Sequence, residues 1–164
     1  MIHRLYLFFI MFFSMIGCSI QIDNKIEAPK KIRENAYQKA KKYIGMDYEW
    51  GGQDWWYGDE IDCSGLIVNV YKEAVRNTSF NLLFDDAGVV HFLNKYTVSV
   101  KNPKRGDVIF MGDEDITHIA ILDKIKNGKV YFIDAYSKTG KVGYRYYNID
   151  NHKIKSFGRL LIQM

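Results

Sequence analysis

Between positions 63 and 75, Cys63, Leu66, Ile67, Val70, Tyr71, Ala74 and Val75 fall on one helical stripe. An apolar stripe of that width needs a cover, and the chain downstream supplies it. Alternating and apolar runs at 108–111, 118–124, 129–136, 142–147 and 155–162 are separated by Gly, Asn and Asp and read as strands. Upstream, Ala36, Tyr37, Ala40, Tyr43 and Ile44 recur near the helical period before Gly45, which predicts a helix over 34–44. Asp85 is placed to cap a weaker helix ending near Tyr96, and Pro103-Lys104-Arg105-Gly106-Asp107 reads as a turn, with Asp107 a turn residue and not a catalytic acid. Helices first and sheet second mean an α+β fold, and 164 residues mean one folded domain.

The chain begins with a cationic Met1-Ile2-His3-Arg4, followed by residues 5–16, which are apolar except for Ser14. A run of that length is too short for a membrane-spanning helix, which needs roughly 20 residues, but has the make-up of a secretory signal. Met15-Ile16-Gly17-Cys18 resembles a bacterial lipobox, in which the chain is cut before the cysteine and its thiol is acylated. The expected organisation is a signal peptide over 1–17, acylated Cys18 with a polar tether over 18–33, and the domain over 34–164. This places the domain outside the cytoplasm, anchored to the cell envelope and facing the periplasm or wall. A plain secretory signal, or a buried first helix in a cytosolic protein, are the alternatives. A net charge of +4, with acids interspersed throughout, lacks the basic stripe of a nucleic-acid binder.

Cys63 is left without a disulfide partner if Cys18 is acylated, since the chain has 2 cysteines. In Asp62-Cys63-Ser64-Gly65 the thiol falls in the first turn of the striped helix, where unpaired N–H groups and the helix dipole favour thiolate. The same position suits a small core residue. A nucleophilic thiol needs an imidazole, and the chain has 4 histidines. His3 leaves with the signal, His152 lies in a polar turn, and His91 sits on an apolar helix. His118 opens a strand, where a sheet holds a side chain rigid while presenting it. Asp134, a carboxylate inside the apolar strand Val130-Tyr131-Phe132-Ile133-Asp134-Ala135-Tyr136, needs a partner and suits the imidazole. Strand parity decides whether they meet. A two-residue Asn127-Gly128 turn, pairing 126 with 129, sets them on opposite faces. A three-residue loop with Gly128 left-handed pairs 125 with 129 and sets them on one face, so that loop is expected.

Taken in order, Tyr48-Glu49-Trp50-Gly51-Gly52, Asp62-Cys63-Ser64-Gly65-Leu66, Arg105-Gly106-Asp107-Val108-Ile109-Phe110, His118-Ile119-Ala120-Ile121 and Phe132-Ile133-Asp134-Ala135 resemble the NlpC-type family of papain-like cell-wall cysteine peptidases. The resemblance runs from about Ala36 to Tyr147. It implies a papain-like domain with N-terminal helices packed on a C-terminal antiparallel sheet. It also implies that Cys63 is the nucleophile, His118 the base, Asp134 the third polar residue and Tyr48 a hydroxyl beside the thiol. Tyr48 and the Cys63 N–H would then bind the oxyanion. Asp62 and Ser64 would face the substrate, with helix capping as their simpler role. The third position is often histidine in that family, and aspartate departs from it. The stretch 53–61 is longer than in the shorter members, and its Trp55, with Trp50, either walls the cleft against substrate or packs the loop onto the domain.

The function implied is a lipid-anchored monomer that hydrolyses amide bonds of peptidoglycan stem peptides, at D-glutamyl–diamino acid or cross-link bonds, without metal or organic cofactor. One usable cysteine and scattered histidines give no metal-ligand spacing. The alternatives are a non-catalytic peptidoglycan-binding lipoprotein, and an amidase or acyltransferase on the same fold.

Overall fold

The computed structural model describes residues 24–52 and 60–164. The expected signal peptide, Cys18 and Trp55 lie outside the described residues. The element order is β1 (Lys25–Glu27), α1 (Lys30–Ala40), α2 (Cys63–Val75), β2 (Asn81–Leu82), α3 (Val89–His91), β3 (Thr97–Ser99), β4 (Val108–Met111), β5 (His118–Lys126), β6 (Lys129–Tyr136), β7 (Lys141–Asn148) and β8 (Ile154–Gln163). The expected α+β architecture is the one found. An antiparallel sheet runs β1-β8-β4-β5-β6-β7, with β2 and β3 also paired to β8.

Helix α2 buries most of its stripe: Leu66, Ile67, Val70, Tyr71 and Ala74 lose all exposure, Val75 at the end is partly buried, and the Tyr71 hydroxyl donates to the Gly106 carbonyl at 2.6 Å. Each large side chain so buried contributes roughly 1.5–3 kcal/mol. They pack with Val108, Phe110, Ile119, Ile121 and Ile133 of the sheet. Ile109, Met111, Ala120, Leu122, Val130 and Phe132 form a second core on the opposite face.

The folded domain reaches further toward the N-terminus than 34. Residues 25–33, expected in the tether, form β1 on β8 and the first turn of α1. Their polarity is misleading because Arg33 is buried, donating to the carbonyls of Ala28 at 3.1 Å and Arg105 at 3.3 Å and reaching Asp107. The helix expected to end at 44 becomes a 3-10 turn at Lys41–Tyr43 before Gly45. The helix expected from Asp85 is shorter. Gly88 is its N-cap, and α3 runs into a π-helical turn at Phe92–Tyr96, clamped by Phe84, whose ring lies 5.0 Å from both Phe92 and Tyr96.

The expected three-residue loop between β5 and β6 is not formed. Lys126 pairs with Lys129 across a two-residue Asn127-Gly128 turn with φ of +51° and +69°, the geometry that Asn-Gly favours. Parity is restored inside the strand instead. The register slips between Leu122 and Lys124, leaving Asp123 as a bulge. Asp123 is drawn in, 4% exposed, by Arg105 Nε at 2.9 Å and the Tyr144 hydroxyl at 2.6 Å. Beyond the bulge, Leu122 faces Phe132 and Ile121 faces Ile133. That register puts His118 and Asp134 on one face after all.

Candidate active site

Asp62 is the N-cap of α2, and its carboxylate accepts from Gly65 N–H at 2.7 Å, the Ser64 hydroxyl at 2.9 Å and Gly51 N–H at 3.1 Å. Capping, the simpler role foreseen for Asp62, is therefore realised, and the same carboxylate ties the Trp50-Gly51-Gly52 loop to the helix start. The loop comes so close that a Cβ at Gly65 would lie 2.5 Å from the Gly52 carbonyl oxygen. Cys63, the first residue of α2, is 8% exposed. N–H groups in this first turn have no intrahelical acceptor and point outward from the helix start.

The sheet brings the imidazole to that thiol. His118 Nε2 lies 2.6 Å from Asp134 Oδ2, and Asp134 is fully buried. A carboxylate only accepts, so Nε2 carries the hydrogen and Nδ1 is the nitrogen left for Cys63. Burial disfavours the charged ring, but hydrogen bonds to Asp134 and to Cys63, with the charges of both, outweigh it and push His118 up to about 9. Tyr48 lies beside them, its hydroxyl held above its ordinary pKa by burial and by the negative charges of Cys63 and Asp62, which keeps it a donor.

Two hollows meet at Cys63. One is lined by His118, Met111, Tyr136, Lys138, Tyr147 and Lys153, the other by Asp62, Ser64, Val89, Val90, His91 and Ile116. Tyr48 and Trp50 border both, and Trp50 is 86% exposed. The structure thus gathers Cys63, His118, Asp134, Tyr48, Asp62, Ser64 and Trp50 around one cleft. His91 lines its edge, away from the His118–Asp134 pair, and exposed His152 bonds Asp113.

Reading the sequence missed Arg145. Its Nε donates to Asp134 Oδ1 at 2.9 Å and its Nη2 to Oδ2. The signal was available only through pairing: Asp134 faces Gly143, so Arg145 sits diagonally from it on the same face. Asp107, expected in a turn, is there, its carboxylate accepting from Lys104 N–H at 2.7 Å.

Residues 45–158 match the NlpC/P60 family. Among curated proteins the chain is 31% identical over 121 residues to gamma-DL-glutamyl hydrolase of Bacillus subtilis (strain 168), covering 74% of this chain and 27% of that protein. It is 34% identical over 86 residues to Protein P54 of Enterococcus faecium, covering 51% of this chain and 15% of that one. The chain therefore spans about a quarter or less of the length of these relatives. Similar solved structures include a lipoprotein-like NLP/P60 protein from Staphylococcus aureus subsp. aureus Mu50, at 21% identity and TM-score 0.56, covering 84% of this chain and 44% of that one. NlpC2 from Trichomonas vaginalis superposes at 22% identity and TM-score 0.57, covering 82% of this chain and 49% of that one. At these identities the likeness speaks for a shared fold, while the match to the family extends over most of the domain and includes Cys63, His118 and Asp134. The chain belongs to the NlpC/P60 family.

Proposed function

We propose that this protein is a cysteine peptidase of the cell wall, hydrolysing amide bonds of peptidoglycan stem peptides through Cys63, His118 and Asp134. The observation that carries the reading is a thiol at a helix start that shares one hollow with an imidazole whose far nitrogen is held by a buried carboxylate. The relative named a gamma-DL-glutamyl hydrolase supports D-glutamyl amides as the bond class.

The thiolate of Cys63 attacks the amide carbonyl, and its proton resides on His118. The Cys63 N–H and the Tyr48 hydroxyl receive the oxyanion. His118 then gives its proton to the departing amine, leaving a thioester on Cys63. Water, deprotonated by His118, releases the acid and restores the Cys63 thiolate with its proton on His118. Because His118 lines the hollow with Lys138 and Lys153, the leaving amine lies there, and the acyl group lies toward Asp62 and Ser64. The reading includes a diacylglyceryl anchor on Cys18, holding the domain at the cell envelope.

Mass spectrometry of muropeptides incubated with the chain from Ser19 onward, beside its Cys63→Ala variant, tests the reaction. Cleavage by the first and none by the second is expected, and the fragment masses name the bond. Intact muropeptides with both proteins would overturn the peptidase reading in favour of a binding role. The mass of the mature N-terminus tests the anchor separately: a diacylglyceryl-modified Cys18 is expected, and an unmodified start at or after Ser19 would remove it.

A further inference from the structure

Arg145 lines neither hollow of the cleft, yet it holds both oxygens of Asp134. Its guanidinium carbon lies 3.7 Å from the Tyr136 ring centroid and 5.6 Å from that of Phe132, so the fork is clamped against aromatic faces. The His118 ring rests on the same Tyr136, at 5.5 Å. Gly143, opposite Asp134, puts no side chain between strand and carboxylate, which leaves the diagonal path from Arg145 open.

We infer that Arg145 is a positioning residue of the site: it locks Asp134 as a fixed, acceptor-only carboxylate against His118 Nε2, so that the ring presents Nδ1 to Cys63. A guanidinium has donors and no acceptor, so with both oxygens engaged Asp134 has no freedom to rotate and no proton to give. His118 is thereby confined to one tautomer when neutral. The guanidinium also opposes the imidazolium across the shared carboxylate, which moderates the hold of His118 on its proton. Its consequence for turnover rests on the peptidase reading, but its direct effect is on His118 and is measurable without substrate.

The test compares Arg145→Met, Arg145→Lys, Asp134→Asn and the double variant Asp134→Asn/Arg145→Met. Three measurements are made: NMR titration of the His118 ring, iodoacetamide labelling of Cys63 against pH, and steady-state muropeptide hydrolysis. Arg145→Met is expected to lower kcat by about 10- to 100-fold, the range typical of losing the group that orients a functional side chain. KM should hold, and the His118 titration should move to higher pH. Arg145→Lys, which keeps the charge, should keep the titration near wild type and recover part of kcat. The double variant should be no slower than Asp134→Asn alone, because Arg145 acts through Asp134. Should Arg145→Met not fold, the lysine variant and the charge-neutral double variant carry the same comparison. Wild-type kcat and titration in Arg145→Met, loss of thermal stability alone, or full additivity in the double variant would overturn the inference. If no variant, wild type included, cleaves muropeptides while the titration still moves, the peptidase reading falls and the positioning role stands.

Discussion

Among the described residues two carboxylates are completely buried and forked by an arginine, and they differ in their remaining partners. Asp107 accepts from Arg159 Nε at 2.8 Å and Nη2 at 2.9 Å, with the Lys104 N–H and Arg33 as its remaining partners. Asp134 is forked by Arg145 in the same way, but its remaining partner is His118. The donors around Asp107 are two guanidiniums and a backbone amide, so that network is a fixed joint between α1, β4 and β8. Exchanging a backbone amide and a second arginine for one imidazole puts a titratable group on the same motif, the group that the proposed mechanism uses to move a proton. A buried ion pair is thus no sign of function by itself; the titration range of its third partner is what separates the two.

The sharpest way to break the comparison is to neutralise each carboxylate. Asp134→Asn is expected to lower muropeptide hydrolysis by about three orders of magnitude or more, since an amide can hold the ring in the wrong tautomer. Its effect on urea unfolding should be the smaller of the two. Asp107→Asn is expected to do the reverse, costing about 3–5 kcal/mol of stability by removing the carboxylate that joins buried Arg33 to Arg159. The activity per folded molecule should stay near wild type. Equal losses of stability and activity in both variants would dissolve the distinction.

A smaller effect is expected from Asp123→Ala, which leaves the bulge without its anchors Arg105 and Tyr144. The expected loss is about 1–3 kcal/mol in urea unfolding. Activity should fall with it, because the bulge sets the face on which His118 meets Asp134. The last is a dependence on pH. The pKa of His118 is raised on folding from 6.5 to about 9, so its contribution to stability is complete below about 6.5 and is lost as pH rises through 9. Thermal melts across that window should show a decline that His118→Gln abolishes. The basic limb of hydrolysis is expected near the same pH.

The thiol side of the site was legible because it is local. Asp62, Cys63, Ser64 and Gly65 are consecutive, the stripe behind them announces the helix, and helix geometry places a cap and a free N–H without reference to the rest of the chain. The imidazole side was legible in its residues and not in its construction. His118 and Asp134 were marked by the chemistry each required. What joins them was expected in the turn and is found in the strand, because only the packed structure supplies Arg105 and Tyr144 to draw Asp123 inward. Residues 25–33 misread for a related reason: a buried arginine looks like a solvated one until its carboxylate is seen. Arg145 was invisible because its meaning lies in a diagonal across β6 and β7.

By itself, then, the sequence determined the α+β class, the helix that carries Cys63, and the residue types able to activate a thiol, since periodicity and capping act over a few neighbouring positions. Tertiary structure alone decided the register that brings His118 to Asp134, the burial that makes Asp107 a joint, and the placement of Arg145. Those depend on side chains from distant segments meeting out of water, where a charge without its partner is too costly to keep.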